Sequence, residues 1–133
     1  MALGILSVVS YVRLQPALEH GKVNSAGAVL ASDLQYAQFV AARQRQPVVV
    51  ILTPATQSYV IRDRADAARI FRSRYMGADT DYNLDEFSAT NSSLEIFPTG
   101  VTRSTTTFTL GLGGYRRAVR FSKAGQIRVL VVP

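Results

Sequence analysis

Few residues in this chain are of a type that does chemistry, and their spacing narrows the options further. The 133 residues contain no Cys. A disulfide scaffold, a Cys-ligated zinc site, an iron–sulfur cluster and a thiol nucleophile are therefore excluded. There is a single histidine, His20, so a multi-His metal site and a second imidazole base are excluded as well. His20 stands at the apolar–polar border of a helical stretch, a setting for an interfacial residue rather than a base. No Ser–His–Asp set stands out in sequence context. Asp79, Asp81, Asn83 and Asp85 recur at two-residue steps, as in the first half of an EF-hand loop, and make a calcium candidate. Leu84 stands where that loop needs Gly, however, and Thr90 where it needs a bidentate Glu. Gly111-Leu-Gly-Gly lies between two strand-like runs and opens no helix, so it reads as a hairpin turn and not as a phosphate loop. The expectation is a protein that is not an enzyme and holds no cofactor.

The remaining chemistry is basic. Of fifteen Lys and Arg residues, thirteen are Arg, and the formal charge is +6. Arg116, Arg117, Arg120, Lys123 and Arg128 crowd the C-terminal third. Alternate strand residues point the same way, so Arg116, Arg120 and Arg128 are expected on one sheet face. Such a row would attract phosphate without reading sequence; the other reading is the solvated outer face of an amphipathic sheet. A second cluster, Arg62, Arg64, Arg69, Arg72 and Arg74, is interleaved with Asp63 and Asp66 and reads as local ion pairing.

The elements that carry these residues follow from periodicity. Apolar residues make up 47% of the chain and charged residues only 18%, enough for one domain with a real core. Met1 to Val12 is uncharged and mostly apolar. Twelve helical residues span about 18 Å against a hydrocarbon core of about 30 Å, too short to cross a bilayer. Arg13 to Gln46 reads as helical, with a kink expected at Pro16 and an end at Pro47. Val23, Ala26, Leu30, Leu34, Ala37 and Ala41 recur at three- and four-residue steps, the spacing of one buried helix face. Asp33, Gln35, Arg43 and Arg45 are assigned to other faces, and Phe39 points opposite Leu30 and Leu34. After Pro47 the period becomes that of strands. Val48–Thr53 and Ser58–Asp63 read as a hairpin, Leu94–Phe97 as a short strand closed by Pro98–Gly100. Thr106–Leu112, Tyr115–Ser122 and Gln126–Val132 read as a three-strand antiparallel meander. Between Arg64 and Ser93 the pattern is irregular; Ala65–Arg74 fits a helical turn or a strand edge.

Helix first and antiparallel strands after is an α+β design, and at this point a resemblance becomes specific. MALGILSVVSYV looks like the latter part of the hydrophobic N-terminal helix of type IV pilins and pseudopilins. LQYAQFVAARQRQPV, from Leu34 to Val48, resembles the helix end and first strand of GspH/FimT-type minor pseudopilins, with Ala37, Ala41, Arg43, Pro47 and Val48 in register. LEIFPTG resembles that family's Phe-x-Pro-x-Gly element through Phe97 and Gly100. FTLGLGGYRRAVRFSKAGQIRV resembles its closing meander through Gly125 and Arg128. The family's usual Arg and Glu in the helix are Gln38 and Val40 here. Its cleavage site and the acidic residue just inside the mature helix have no counterpart, so Met1 is expected to be an internal Met of a longer chain.

The resemblance implies a pilin-like fold, a long N-terminal α-helix followed by an antiparallel β-sheet or β-sandwich domain. Residues 1–25 would be part of the hydrophobic membrane and filament helix, and residues 26–133 the globular domain, helical to residue 46 and β-rich from 47. It implies a minor pseudopilin of a type II secretion system, held in the bacterial inner membrane by its helix with the β-domain in the periplasm. Its partners would be other pseudopilins or pilins in a helical filament. Leu3, Ile5, Leu6, Val8, Val9 and Val12 would form the membrane and filament core. Phe39 and Val40 are expected subunit contacts or, equally, intramolecular packing. The alternative is a FimT-like minor pilin that binds DNA for natural transformation. In that branch the DNA element reads Gly-Arg-x-Arg; here Gly125, Gln126, Ile127 and Arg128 lack its first Arg.

Overall fold

The computed structural model describes residues 2–132, with side chains from residue 17 onward. It opens with one helix, α1 (Ala2–Gln44), which runs without a break through Pro16 and ends where Arg45 takes a left-handed conformation (φ 56°) ahead of Pro47. Eight strands follow: β1 (Val48–Thr53), β2 (Ser58–Asp63), β3 (Ile70–Tyr75), β4 (Glu86–Ala89), β5 (Ser93–Ile96), β6 (Thr106–Leu112), β7 (Tyr115–Phe121) and β8 (Ile127–Val131). They make two four-stranded antiparallel sheets, in the orders β3-β2-β1-β5 and β4-β6-β7-β8. The chain therefore passes from the first sheet to the second at β4, returns at β5, and passes over again at β6.

The helix face at three- and four-residue steps is the core face. Val23, Ala26, Leu30, Leu34, Ala37 and Ala41 are completely buried. They meet the inward residues of both sheets, among them Val48 and Val50 of β1, Tyr59 and Ile61 of β2, Phe108 and Leu110 of β6, and Val119 and Phe121 of β7. β2 and most of β6 alternate between buried and partly exposed residues, so one pleated face supplies the core, whereas β1 is buried along most of its length. The β1–β2 hairpin and the β6–β7–β8 meander form as the alternation predicts. The β6–β7 turn is Gly113–Gly114, both with positive φ (62° and 86°), the backbone that a two-residue hairpin demands.

In the irregular middle the structure decides between the alternatives: β3 takes the strand option for Ala65–Arg74 and is an edge strand, and β4 is a strand the sequence does not predict. β3 escapes the alternation test because two of its inward residues are Arg72 and Arg74, not apolar side chains. β4 escapes because it is four residues long and buries only Phe87. Asp33 is the other correction: it lies on the buried helix face, 1% exposed, between Leu30 and Ala37.

Two turns from distant parts of the chain are pinned to the helix by Gln38. Its side-chain Nε2 donates to the carbonyl oxygens of Gly100 (3.0 Å) and Gly125 (2.8 Å). Gly125 has φ +91°, and a Cβ there would collide with the Gly100 carbonyl oxygen; Gly114 has φ +86° but open space around it. Gly114→Ala is expected to cost about 1–2 kcal/mol, the left-handed backbone penalty alone. Gly125→Ala adds the collision and should cost about 2–3 kcal/mol or more. Urea unfolding of the two variants checks the ranking, and equal losses would refute the close approach as its cause.

Candidate functional site

The expected membrane and filament residues Leu3, Ile5, Leu6, Val8, Val9 and Val12 fall within α1, but their side chains lie outside the described residues. Among the described residues no helix is long and apolar enough to cross a membrane. Phe39 is 59% exposed, available for contact as its position predicts. Val40 is not: it is buried and belongs to the core cluster of its own domain, because it follows Ala37 by three residues on the inward face. The solvent side of α1 carries mostly small residues, including Gly21, Ser25, Ala28 and Ser32, with Leu18 exposed beside them.

The basic residues of the meander divide by strand parity. Arg116, Arg120 and Arg128 point to the outer face, as expected, and Arg120 is the direct cross-strand partner of Arg128. Arg116 is neutralised there: its Nε lies 2.7 Å from Glu86 Oε2 on the neighbouring part of the same sheet. Arg117 points the opposite way, toward the helix. Its Nε donates to Asn24 Oδ1 (2.9 Å) and to the Tyr115 hydroxyl (3.0 Å). His20 stacks on Tyr115 with ring centroids 3.8 Å apart, which makes it a packing residue of the helix–sheet boundary. Lys123 sits in the β7–β8 turn and is exposed. Of the five basic candidates, Arg116 alone makes an ion pair among the described residues; Arg117 is held by neutral acceptors, and Arg120, Lys123 and Arg128 are left to solvent.

The calcium candidate does not assemble. Among the described residues no three acidic or His side chains gather closely enough to hold a metal ion. Asp85 Oδ2 instead accepts the Gly113 N–H (3.1 Å). Asp79 and Asn83 both adopt left-handed backbone conformations, and the Asn83 N–H donates to Thr80 Oγ1. The alternating spacing belongs to a chain of tight turns whose side chains diverge.

The most developed polar site was assigned to other roles by sequence reasoning. The Asp33 carboxylate, buried on α1, is met from three sides. The Tyr59 hydroxyl donates to Oδ2. Arg72 Nη1 donates to Oδ1 at 2.7 Å, and Arg74 donates through Nε to Oδ2 at 2.9 Å and through Nη2 to Oδ1 at 3.3 Å. Arg72 also lies over the Tyr36 ring, 4.2 Å from its centroid. Burial opposes the charge on Asp33, but the hydrogen bonds from Arg74, Tyr59 and Arg72 outweigh it and hold the carboxyl below its ordinary range. Burial and the adjacent carboxylate push the Tyr59 phenol up, so it stays a neutral donor. The second Arg cluster thus pairs across the fold rather than locally. Arg64 likewise reaches Glu95 on β5 at 3.0 Å. The signal was present in the sequence: Asp33 follows Leu30 by three residues and precedes Ala37 by four, which places it on the buried face whatever its polarity.

This carboxylate makes stability pH-dependent with a definite sign. A group whose pKa is depressed by folding contributes above its unfolded value, about 3.9 for Asp, and loses that contribution as pH falls through its folded value. Asp33→Ala should therefore cost about 3 kcal/mol at neutral pH, since two guanidinium groups and a phenol lose their shared acceptor. Below about pH 4 the gap to the unaltered chain should narrow. Urea melts from neutral to acid pH measure both, and a gap independent of pH would exclude an ionised Asp33.

Against this geometry, comparisons with known proteins agree with one another. The family model for type II transport protein GspH matches residues 26–125. The minor pseudopilin EpsH of the Vibrio cholerae type 2 secretion system superposes with TM-score 0.67 at 11% identity, over 83% of this chain and 97% of that one. The type IV minor pilin FimU of Pseudomonas aeruginosa superposes with TM-score 0.64 at 21% identity, over 80% of this chain and 90% of that one. At these identities the likeness is one of fold. No curated protein matches the chain.

Proposed function

The chain belongs to the GspH family, and on that premise we propose that it is a minor pseudopilin, a structural subunit of a type II secretion pseudopilus. In this reading α1 anchors the chain in the bacterial inner membrane and packs among the helices of other pilin-like subunits, while the two sheets stand in the periplasm. The observation that carries the reading is the helix itself. Its 43 residues make a rod of about 65 Å, about twice the diameter of a globular domain of this size. Strands of four to seven residues cannot cover such a rod along its length. Its described solvent side is lined by Gly21, Ser25, Ala28 and Ser32, small residues that let another helix approach closely.

The test separates packing from folding. Ala28→Arg and Ser32→Arg place bulk and charge on the exposed face of α1 and leave the core face untouched. Each is expected to preserve the circular dichroism and melting temperature of the chain. Each should abolish its incorporation into filaments and the export of a secreted reporter in cells that depend on this gene product. Normal secretion with both variants would count against assembly through this face.

A second reading, a minor pilin that binds DNA, has one observation in its favour. Arg120 and Arg128 face each other across β7 and β8 with no carboxylate between them, and like charges directly opposite are destabilising unless an anion covers them. The secretion reading expects no retardation of duplex DNA at low salt. Salt-dependent retardation that disappears in an Arg120→Glu, Arg128→Glu variant would replace it with the DNA reading.

A further inference from the structure

A groove of about 360 Å³ opens between the C-terminal end of α1 and β3, lined by Tyr36, Phe39, Arg43, Arg69 and Phe71 among others. It lies away from Arg120 and Arg128, and it continues the outer side of α1 about two turns beyond Ser32, with Phe39 on the same side of the helix as the small residues. Four features of this corner bear on what it does.

The first is apolar surface left in water. Phe39 is 59% exposed, and along the adjacent strand Ile70 is 56% and Tyr75 51% exposed. Scattered exposed apolar residues are ordinary; here Phe39 lines the groove itself and Ile70 adjoins it between the groove residues Arg69 and Phe71, while Tyr75 stands at the far end of the strand. The second is residue type. Phe, Tyr and Arg are the side chains that dominate the desolvated centres of protein interfaces, because they bring large area at low entropic cost. The third is the backbone. β3 is an edge strand of its sheet, so one side of it offers N–H and C=O groups without a strand partner. The hydrogen bonds and ion pairs of Arg72 and Arg74 to Asp33 hold that edge rigidly against α1. The fourth is charge. Arg43 and Arg69 make no ion pair among the described residues, and Arg69 lies over the Phe71 ring, 5.3 Å from its centroid. The nearby carboxylates are turned onto their own backbone: Asp66 Oδ1 accepts the Ala68 N–H at 3.0 Å, and Asp63 Oδ1 accepts the Ala65 N–H.

We propose that this corner is a docking site for an extended acidic segment of a partner protein, which adds to β3 as a further strand. One aromatic or large aliphatic side chain of that segment fills the groove between Phe39 and Phe71. Its flanking carboxylates meet Arg43 and Arg69. Main-chain pairing gives affinity and the groove gives selectivity, the division of labour usual for strand addition. Charge decides against a second copy of this chain as the occupant: two β3 edges brought together would oppose Arg to Arg.

The probe is a random peptide library displayed on phage, panned against the whole chain held in detergent. Enriched peptides should alternate Asp or Glu with Phe, Leu or Ile. As synthetic peptides they should slow amide hydrogen exchange across Ile70–Tyr75. Phe39→Ala, an exposed position expected to leave the melting temperature unchanged, should weaken them about tenfold or more. An Arg43→Glu, Arg69→Glu variant should lose the acidic peptides and bind their Lys-substituted counterparts instead. No enrichment, a consensus without acidic residues, or binding indifferent to both variants overturns the proposal. Self-association that is abolished by Phe39→Ala overturns it too, by making the occupant a second copy.

Discussion

Asp33 constrains the molecule more than any other residue. A carboxylate taken out of water must find donors, and this one finds them on two adjacent strands of the first sheet. Tyr59 and Arg74 are direct partners in the β2–β3 register. Both reach the same carboxylate only in that register, since a one-residue slip would turn one of them to the opposite face. A single buried charge on the helix thereby fixes the alignment of a sheet edge 39 and 41 residues further along the chain. Apolar packing would tolerate more than one rotation of α1 against the sheets; a charge with three convergent donors tolerates one.

Two further polar side chains of α1 extend the same principle. Asn24 accepts from Arg117 and Tyr115 on the second sheet, and Gln38 donates to the turns at Gly100 and Gly125. Placed before, at and after the middle of the packed segment, these anchors set the helix against both sheets. The apolar residues between them supply the bulk of the burial. Among the described residues the opposite face of α1 makes no such internal contacts, and its small residues stay in water. The corner formed by Phe39 and β3 lies about two turns further along that same side of the helix, so a segment added to β3 would border any helix packed against the small residues.

Much of this was legible from the sequence because the relevant signals are local. The helical spacing from Val23 to Ala41 predicts the core face residue by residue. A continuous β-branched run predicts β1, and alternation with turn chemistry predicts β2 and the β6–β7–β8 meander. The family resemblance, carried by residues spread from Leu34 to Arg128, predicts the α+β arrangement that the structure has. What was not legible are features defined by distant pairing. Arg72 and Arg74 look like surface residues until the carboxylate that accepts them is in view, and with them β3 loses its apolar alternation. Asp33 looks like a solvent residue by its polarity alone, although its spacing from Leu30 and Ala37 puts it on the buried face. For Val40 the sequence leaves subunit contact and intramolecular packing equally open, and its burial three residues after Ala37 favours the packing. The acidic run from Asp79 to Asp85 shows the converse error: regular spacing along the chain does not bring side chains together when left-handed turns intervene.

The order in which strands enter the sheets bears on how the domain comes into being. β4 joins the second sheet before β5 completes the first, so neither sheet is a contiguous stretch of chain. The strand that begins the second sheet is made before the strand that closes the first. A nascent chain halted after β5 would present β4 without its neighbour β6 and half a core without a lid. Such interleaving makes the contacts non-local, which slows the search for the native state, and it makes the two sheets a single cooperative unit rather than two that could open in turn.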